Sequence, residues 1–371
     1  MLRGGFGTFF ERLQGNDIYD IAGNAPFENT PTATNVELTN PSYNWQAGAP
    51  ASTPLFTQGG HLGELTYYPA PGVAQYSLGV QHELAPALIL VTQYVGNLAW
   101  HQNTFDPFNN YPLSTAMATR QASANGTLSA VGGLQARMYP GFGNIEMIEN
   151  PLTGSYNSFQ IGLRQQNRHG LSFELDYTWA HEIDDQVGSG DLNTSSNPWD
   201  LKYDKGSGSL DRRNIFNGNY TYRLPIFAHS SGLNHDVLGG WEISGTVISQ
   251  SGLPWAGNNT PGSGYSDTVG LGGDYTNRPN LSGKPSYTKA KATVGTNTGY
   301  QWVSNAGYSA PTAAWAGGSN LGFGNEGRDA VVGPGRTNFT TSLYKSFAFT
   351  ERASFQLRMD SFNTFNHTRC V

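Results

Sequence analysis

The chain has 371 residues and a formal net charge of −6, and only 13 % of its residues are charged, about half the roughly 25 % usual for a soluble globular protein. This balance offers no basic patch for nucleic acid, and the single cysteine, Cys370, excludes an internal disulfide and a cysteine-only metal site. In place of charge stand 47 Gly, 19 Tyr, 19 Phe and 8 Trp, the alphabet of strands that are apolar on one side and polar but largely uncharged on the other. The longest apolar run, Leu84 to Val91, is far short of the ~18 residues a membrane helix needs, a limit that does not apply to strands.

In chain order, Met1-Leu2-Arg3-Gly4-Gly5 has one positive charge and no apolar core behind it, so it does not read as a signal peptide. Leu2 to Arg12 reads as a lone strand. Tyr76, Leu78 and Val80 lead through a turn at Ala85-Pro86 to a strand from Leu88 to about Gly96. Phe159, Ile161 and Leu163 alternate with Ser158, Gln160, Gly162 and Arg164. After the turn Asn167-Arg168-His169-Gly170, the residues Leu171, Phe173, Leu175, Tyr177 and Trp179 alternate with Ser172, Glu174, Asp176 and Thr178. Period-two alternation on both sides of a glycine-bearing tight turn predicts a hairpin. Phe216, Tyr220, Tyr222 and Leu224 pair in the same way with Trp241, Ile243 and Val247 across Pro225 to Val237. Phe339, Leu343 and Phe347 pair through Thr350-Glu351 with Phe355, Leu357 and Met359.

The total is about nine strands, each near the ten residues that cross a bilayer at a ~45° tilt. Short turns within hairpins alternate with long links at Leu13–Val73, Ala99–Ser155, Ile183–Arg212 and Ser251–Gly335. Compact soluble domains rarely hold several loops of that length. Outer-membrane barrels are built this way, with short periplasmic turns and long extracellular loops. The predicted class is all-β, an antiparallel up-and-down transmembrane β-barrel, partial, located in the outer membrane with lipid as its partner. Arg164, Glu174, Asp176, Arg223, Glu242, Arg358 and Asp360 then face the lumen, and Tyr177, Trp179 and Trp241 lie in interfacial girdles. Nine strands give first and last strands of the same direction. An open sheet with edges at Leu2–Arg12 and Phe355–Phe362 is therefore expected.

Four stretches carry a likeness: Arg3 to Arg12, Tyr156 to Asp185, Asp211-Arg212-Arg213-Asn214, and Arg336 to His367. With Gly324-Asn325-Glu326-Gly327-Arg328, Gly333-Pro334-Gly335 and the ending Asp360-Ser361-Phe362-Asn363-Thr364-Phe365-Asn366-His367, they resemble the C-terminal half of the barrel in Oar-like TonB-dependent receptors. That resemblance implies ligand uptake across the outer membrane. Relatives carry a signal peptide, a plug and a 22-strand barrel. Set against them, residues 1–371 read as one partial barrel domain without signal, coupling box or plug, and 368–371 as an atypical truncated tail. The TonB complex would be reached only through the missing plug, so this chain alone is not expected to drive energised uptake.

Motifs for chemistry are weak. Gly322-Phe323-Gly324-Asn325-Glu326-Gly327 matches a dinucleotide fingerprint but lacks the following helix, and reads as a glycine-rich loop entering a strand. His181-Glu182 with Asp184-Asp185 has no second histidine at zincin spacing, and reads as a solvated external loop. Asp200, Asp204 and Asp211 with Asn193 and Asn197 miss the EF-hand pattern. Glu174 and Asp176 resemble a glycosidase pair but serve equally as lumen lining. No enzyme, cofactor or metal is expected. Trp199, Tyr203, Trp255, Trp302 and Trp315, with Trp45 and Trp100, fall in the predicted loops. There they suit either stacking on an unknown ligand, a carbohydrate or peptide, or packing loops together. The rival to a receptor barrel is a secreted Gly/Asn/aromatic-rich β-protein that binds carbohydrate.

Overall fold

The computed structural model describes residues 1–12, 60–63, 69–109, 112, 138–139, 145–185, 195–197, 199–227, 232, 237–257, 278–294, 297–309, 311, 323–350 and 353–367. Nine long strands form one continuous wall: β1 (Leu2–Phe10), β2 (Gly72–Ala85), β3 (Leu88–Pro107), β4 (Ile145–Arg168), β5 (Leu171–Asp184), β6 (Asn214–Arg223), β7 (Trp241–Gln250), β8 (Arg336–Thr350) and β9 (Ala353–Phe362). They hydrogen-bond in sequence order, β1 at one end and β9 at the other. Every neighbouring pair is antiparallel. Among the described residues β1 and β9 do not pair with each other, so the sheet is open, as an odd strand count requires.

Register sorts the residues into two faces. One row runs Leu78↔Tyr94↔Phe159↔Trp179, and another runs Tyr222↔Ile243↔Leu343↔Met359. The opposite face carries Arg164↔Glu174↔Asn219↔Thr246↔Thr340. Among the described residues nothing covers the apolar face: Phe6 is 75 % exposed, Trp179 47 % and Met359 65 %. In water so large a continuous apolar surface would aggregate.

Glycines on this face let the aromatics lie flat. A Cβ at Gly96 would meet the Tyr76 ring at 2.5 Å, and one at Gly72 would meet Trp100 at 2.6 Å. The hydroxyls of Tyr76 and Tyr94 both donate to Asn157 Oδ1, at 2.9 and 2.6 Å, and Tyr177 donates to Asn214 Oδ1 at 2.7 Å. Polar tips on an apolar face are thus satisfied within the protein.

The strands are longer than expected. β3 continues to Pro107 and β4 starts at Ile145, so both ends of the link expected over Ala99–Ser155 are strand and Trp100 is a wall residue. The extension escapes a period-two reading because Gln102, Asn103, Thr104 and Glu149, Asn150 put polar groups on both faces. Such strands rise out of the lipid, where one-sided apolarity is no longer required. Among the described residues two pairings depart from antiparallel order: Gly60–Gly63 runs parallel to Ile145–Ile148, and Gly206 makes an isolated parallel bridge to Arg328.

The β4–β5 turn keeps His169 at φ 53° and Gly170 at φ 77°, the double left-handed geometry of a tight hairpin loop. A Cβ at Gly170 would sit 3.1 Å from the Arg223 carbonyl oxygen. Gly170→Val should cost about 1–2 kcal/mol from the left-handed backbone alone, while Gly170→Asn should lose less. The midpoint of urea unfolding in detergent micelles checks both.

Candidate functional site

The polar face holds a cleft of about 490 Å³, lined by Gln93, Gln160, Arg164, Glu174, Asp176 and Asn217 among others. Arg164 stands opposite Glu174, and Asp176 lies between Gly162 and Asn217. Gln93 donates to Gln160 Oε1 at 2.5 Å. Nearer the short turns, Arg223 pairs with Glu242 at 3.1 Å and Tyr344 donates to the same carboxylate at 3.0 Å. Arg358 bonds Asp360 at 2.9 Å, and Ser342 donates to that same oxygen. The seven charged residues expected to face the lumen therefore share one face.

At the long-loop end a buried charge cluster fastens two loops together. Arg278 reaches from the β7–β8 loop to Asp204 in the β5–β6 loop at 3.0 Å, with side chains only 4 % and 1 % exposed. Its other donors go to the carbonyl oxygens of Glu326, at 3.0 Å, and Tyr203. Its guanidinium lies 3.7 Å above the Tyr203 ring. Arg328 donates to Asp184 Oδ1 and to the carbonyls of Asp184, Gly206 and Ser207. The Glu326 carboxylate accepts from Gly257 N–H at 2.8 Å and from the Tyr308 hydroxyl at 3.2 Å.

Burial, above all, raises Glu326 above the usual carboxylate range despite these donors. Tyr308, buried beside Glu326, is pushed up to about 12, so it stays a donor. Gly324 permits the assembly, because a Cβ there would overlap the carbonyl oxygens of Arg278 and Pro279.

This cluster corrects several expectations. His181, Glu182 and Asp184 lie on β5 and not in a solvated loop. His181 sits 3.1 Å from Asp211, which Arg213 also holds at 2.8 Å. The calcium candidates do not converge: Asp204 is under Arg278, Asp211 under His181 and Arg213, and Asp200 caps the short 3-10 turn Leu201–Asp204. Among the described residues no group of three metal-ligating side chains occurs, and Asn193 lies outside them.

Of the loop aromatics, Tyr203 is spent on Arg278 and on Phe323, 5.3 Å away. Trp302 donates to the Val332 carbonyl at 2.7 Å and packs on Tyr287. Trp199 meets Phe323 edge-on yet stays 38 % exposed. Trp255, in a two-residue ladder with Val331 and Val332, is 43 % exposed. Trp45 and Trp315 lie outside the described residues. The sequence reading missed Arg278 altogether, and took Glu326 and Arg328 only as parts of a glycine-rich loop and of the segment that carries the family likeness. The available signal was economy: a charge-poor chain that places Glu and Arg inside a glycine-rich loop has a use for them.

A bare apolar face, a polar face and strands joined by short turns at one end are the features of one kind of wall. A family model described as an outer membrane beta barrel domain matches residues 1–370. The chain belongs to that family. Its place is the outer membrane, with lipid against the apolar face. No curated protein matches it. Among solved structures, the crystal structure of the outer membrane transporter YddB from Escherichia coli is similar, at 10 % identity and a TM-score of 0.43, over 84 % of this chain and 31 % of that one. The chain of this barrel domain thus spans under a third of that transporter's length.

Removing Arg278 leaves Asp204 buried without its cation. Arg278→Ala should cost about 3–5 kcal/mol of loop-cap stability and open the 201–207 segment to external protease while the wall stays folded. Limited proteolysis on intact vesicles reads this directly. Because burial raises Glu326 in the folded state, its contribution is fully present at low pH. It declines as pH rises from the ordinary carboxylate range through the raised value. Glu326→Gln should flatten that slope in proteolysis protection measured against pH.

Proposed function

We propose that this wall belongs to an outer-membrane receptor that, in its whole form, carries a ligand inward with TonB-coupled energy. Its polar face would line the path. The observation that carries this is the division of one sheet into a bare apolar face and a continuous hydrogen-bonding face. A secreted binding protein has no use for the first. Trp199 and Trp255, still exposed on the fastened loops, are suited to meet an incoming carbohydrate or peptide. On this reading the chain is not an enzyme, and it supplies passage rather than chemistry.

Cysteine accessibility tests the path. In a Cys370→Ser background, the full chain folded into lipid vesicles would carry Asn217→Cys or Thr246→Cys on the polar face, and Leu175→Cys or Val247→Cys on the other. A membrane-impermeant maleimide should label the first pair and spare the second. Equal or inverted labelling would remove the assignment of the polar face as the solute face.

A further inference from the structure

At the long-loop end, ionic groups find one another. Asp184, Asp204 and Asp211 take Arg328, Arg278, His181 and Arg213. Arg212 and Arg336 enter none of these pairs. Both are held instead by neutral acceptors on consecutive residues: Arg212 Nη1 donates to the Ser251 carbonyl oxygen, and Arg336 Nε donates to Gln250 Oε1 at 3.1 Å. Burial first, then the charge of Arg336, pushes the Arg212 guanidinium below its ordinary value, so the two cations feel each other.

The backbone sets this proximity. A Cβ on Gly252 would overlap the Gly333 carbonyl, and one on Gly335 would lie 2.8 Å from the Gln250 carbonyl oxygen. The Gly333-Pro334-Gly335 segment is thereby pressed against residues 250–252. Asn214 N–H and Nδ2 both donate to Ser251 Oγ, at 3.1 and 3.2 Å, which ties the Asp211-Arg212-Arg213-Asn214 segment to the same strand end. Register places Arg336 opposite Gln250, on the polar face.

We infer that Arg212 and Arg336 form an oxyanion-binding pair at the outer rim of the polar face, receiving a carboxylate or phosphate group of a solute that arrives from outside. Each guanidinium has five N–H donors, of which one is engaged at Ser251 or Gln250. Two guanidinium groups held at consecutive residues, neither paired with a carboxylate among the described residues, repel, and a shared oxyanion relieves the repulsion while accepting charge-assisted bonds. A lipid phosphate would have to approach from the apolar face, whereas Arg336 is on the other. The inference rests on the polar face being the solute face.

Inorganic phosphate at low ionic strength, followed by ³¹P line broadening, is the probe for the full chain folded in detergent micelles. Succinate serves as competitor and glucose as neutral control. Phosphate should bind and succinate should displace it. Arg212→Gln and Arg336→Gln should each weaken binding by about tenfold or more, Arg336→Lys less, and Lys291→Gln not at all. Binding is counted per folded molecule from the heat-modifiable band, so a purely structural role appears as lost folded protein with unchanged affinity. Undiminished binding by the Arg212→Gln/Arg336→Gln double variant, no binding by the unaltered chain, or broadening only with lipid A-containing micelles would each overturn the pair. Loss of the anion pair with the cysteine-labelling pattern intact leaves the solute face standing. Loss of that pattern removes the solute face itself.

Discussion

A peptide group in hydrocarbon has no solvent to bond with, so each strand must find its partners in the strand beside it. Much of this molecule follows from that demand. Nine strands pair in unbroken sequence order, so among the described residues only the outer edges of β1 and β9 hold wall amides without a strand partner. Once the backbone is committed in this way, each side chain has only two directions available. One must be soluble in lipid and the other in water. Tyr76, Tyr94 and Tyr177 on the outer face follow the same demand, returning their hydroxyl groups to asparagines of the same sheet.

The long loops live under another rule. They have water on one side but little apolar material with which to fold, and Arg278 and Arg328 organise them instead. A buried ion pair is a poor source of net stability, because desolvation offsets much of the attraction. Arg278 and Arg328 work differently, by spreading their donors over the backbone carbonyls of Tyr203, Glu326, Asp184, Gly206 and Ser207. Each guanidinium acts as a small hub for irregular chain, the role that strand pairing plays in the wall. Aromatic rings complete the arrangement: Tyr203 lies under Arg278, and Phe323 lies against both Tyr203 and Trp199.

The wall was legible because lipid imposes a period. Leu171 to Trp179 announces its two faces residue by residue, and the turn at Asn167–Gly170 announces its geometry. Where the wall leaves the lipid the period disappears, so the outer halves of β3 and β4 could not be seen in Gln102–Thr104 or Glu149–Asn150. The cap was illegible for a related reason. Asp204 and Arg278 are 74 positions apart, and no local pattern links a lone arginine before a proline to an aspartate in another loop. Arg212 and Arg336 were visible as parts of familiar segments, but their closeness depends on a glycine contact between residues 252 and 333. Such contacts belong to the three-dimensional fold and leave no periodic trace.

The odd number of wall strands has a geometric consequence. β1 and β9 both run from the short-turn side toward the long-loop side, so both edges present the same polarity. A second copy inserted the same way up offers edges of that same polarity. Antiparallel ladders between copies are thus forbidden by direction alone, whatever the side chains. A sheet that completes this wall must begin and end with strands descending toward the short turns. The wall therefore carries a built-in discrimination between self and complement, written in chain direction and not in any residue.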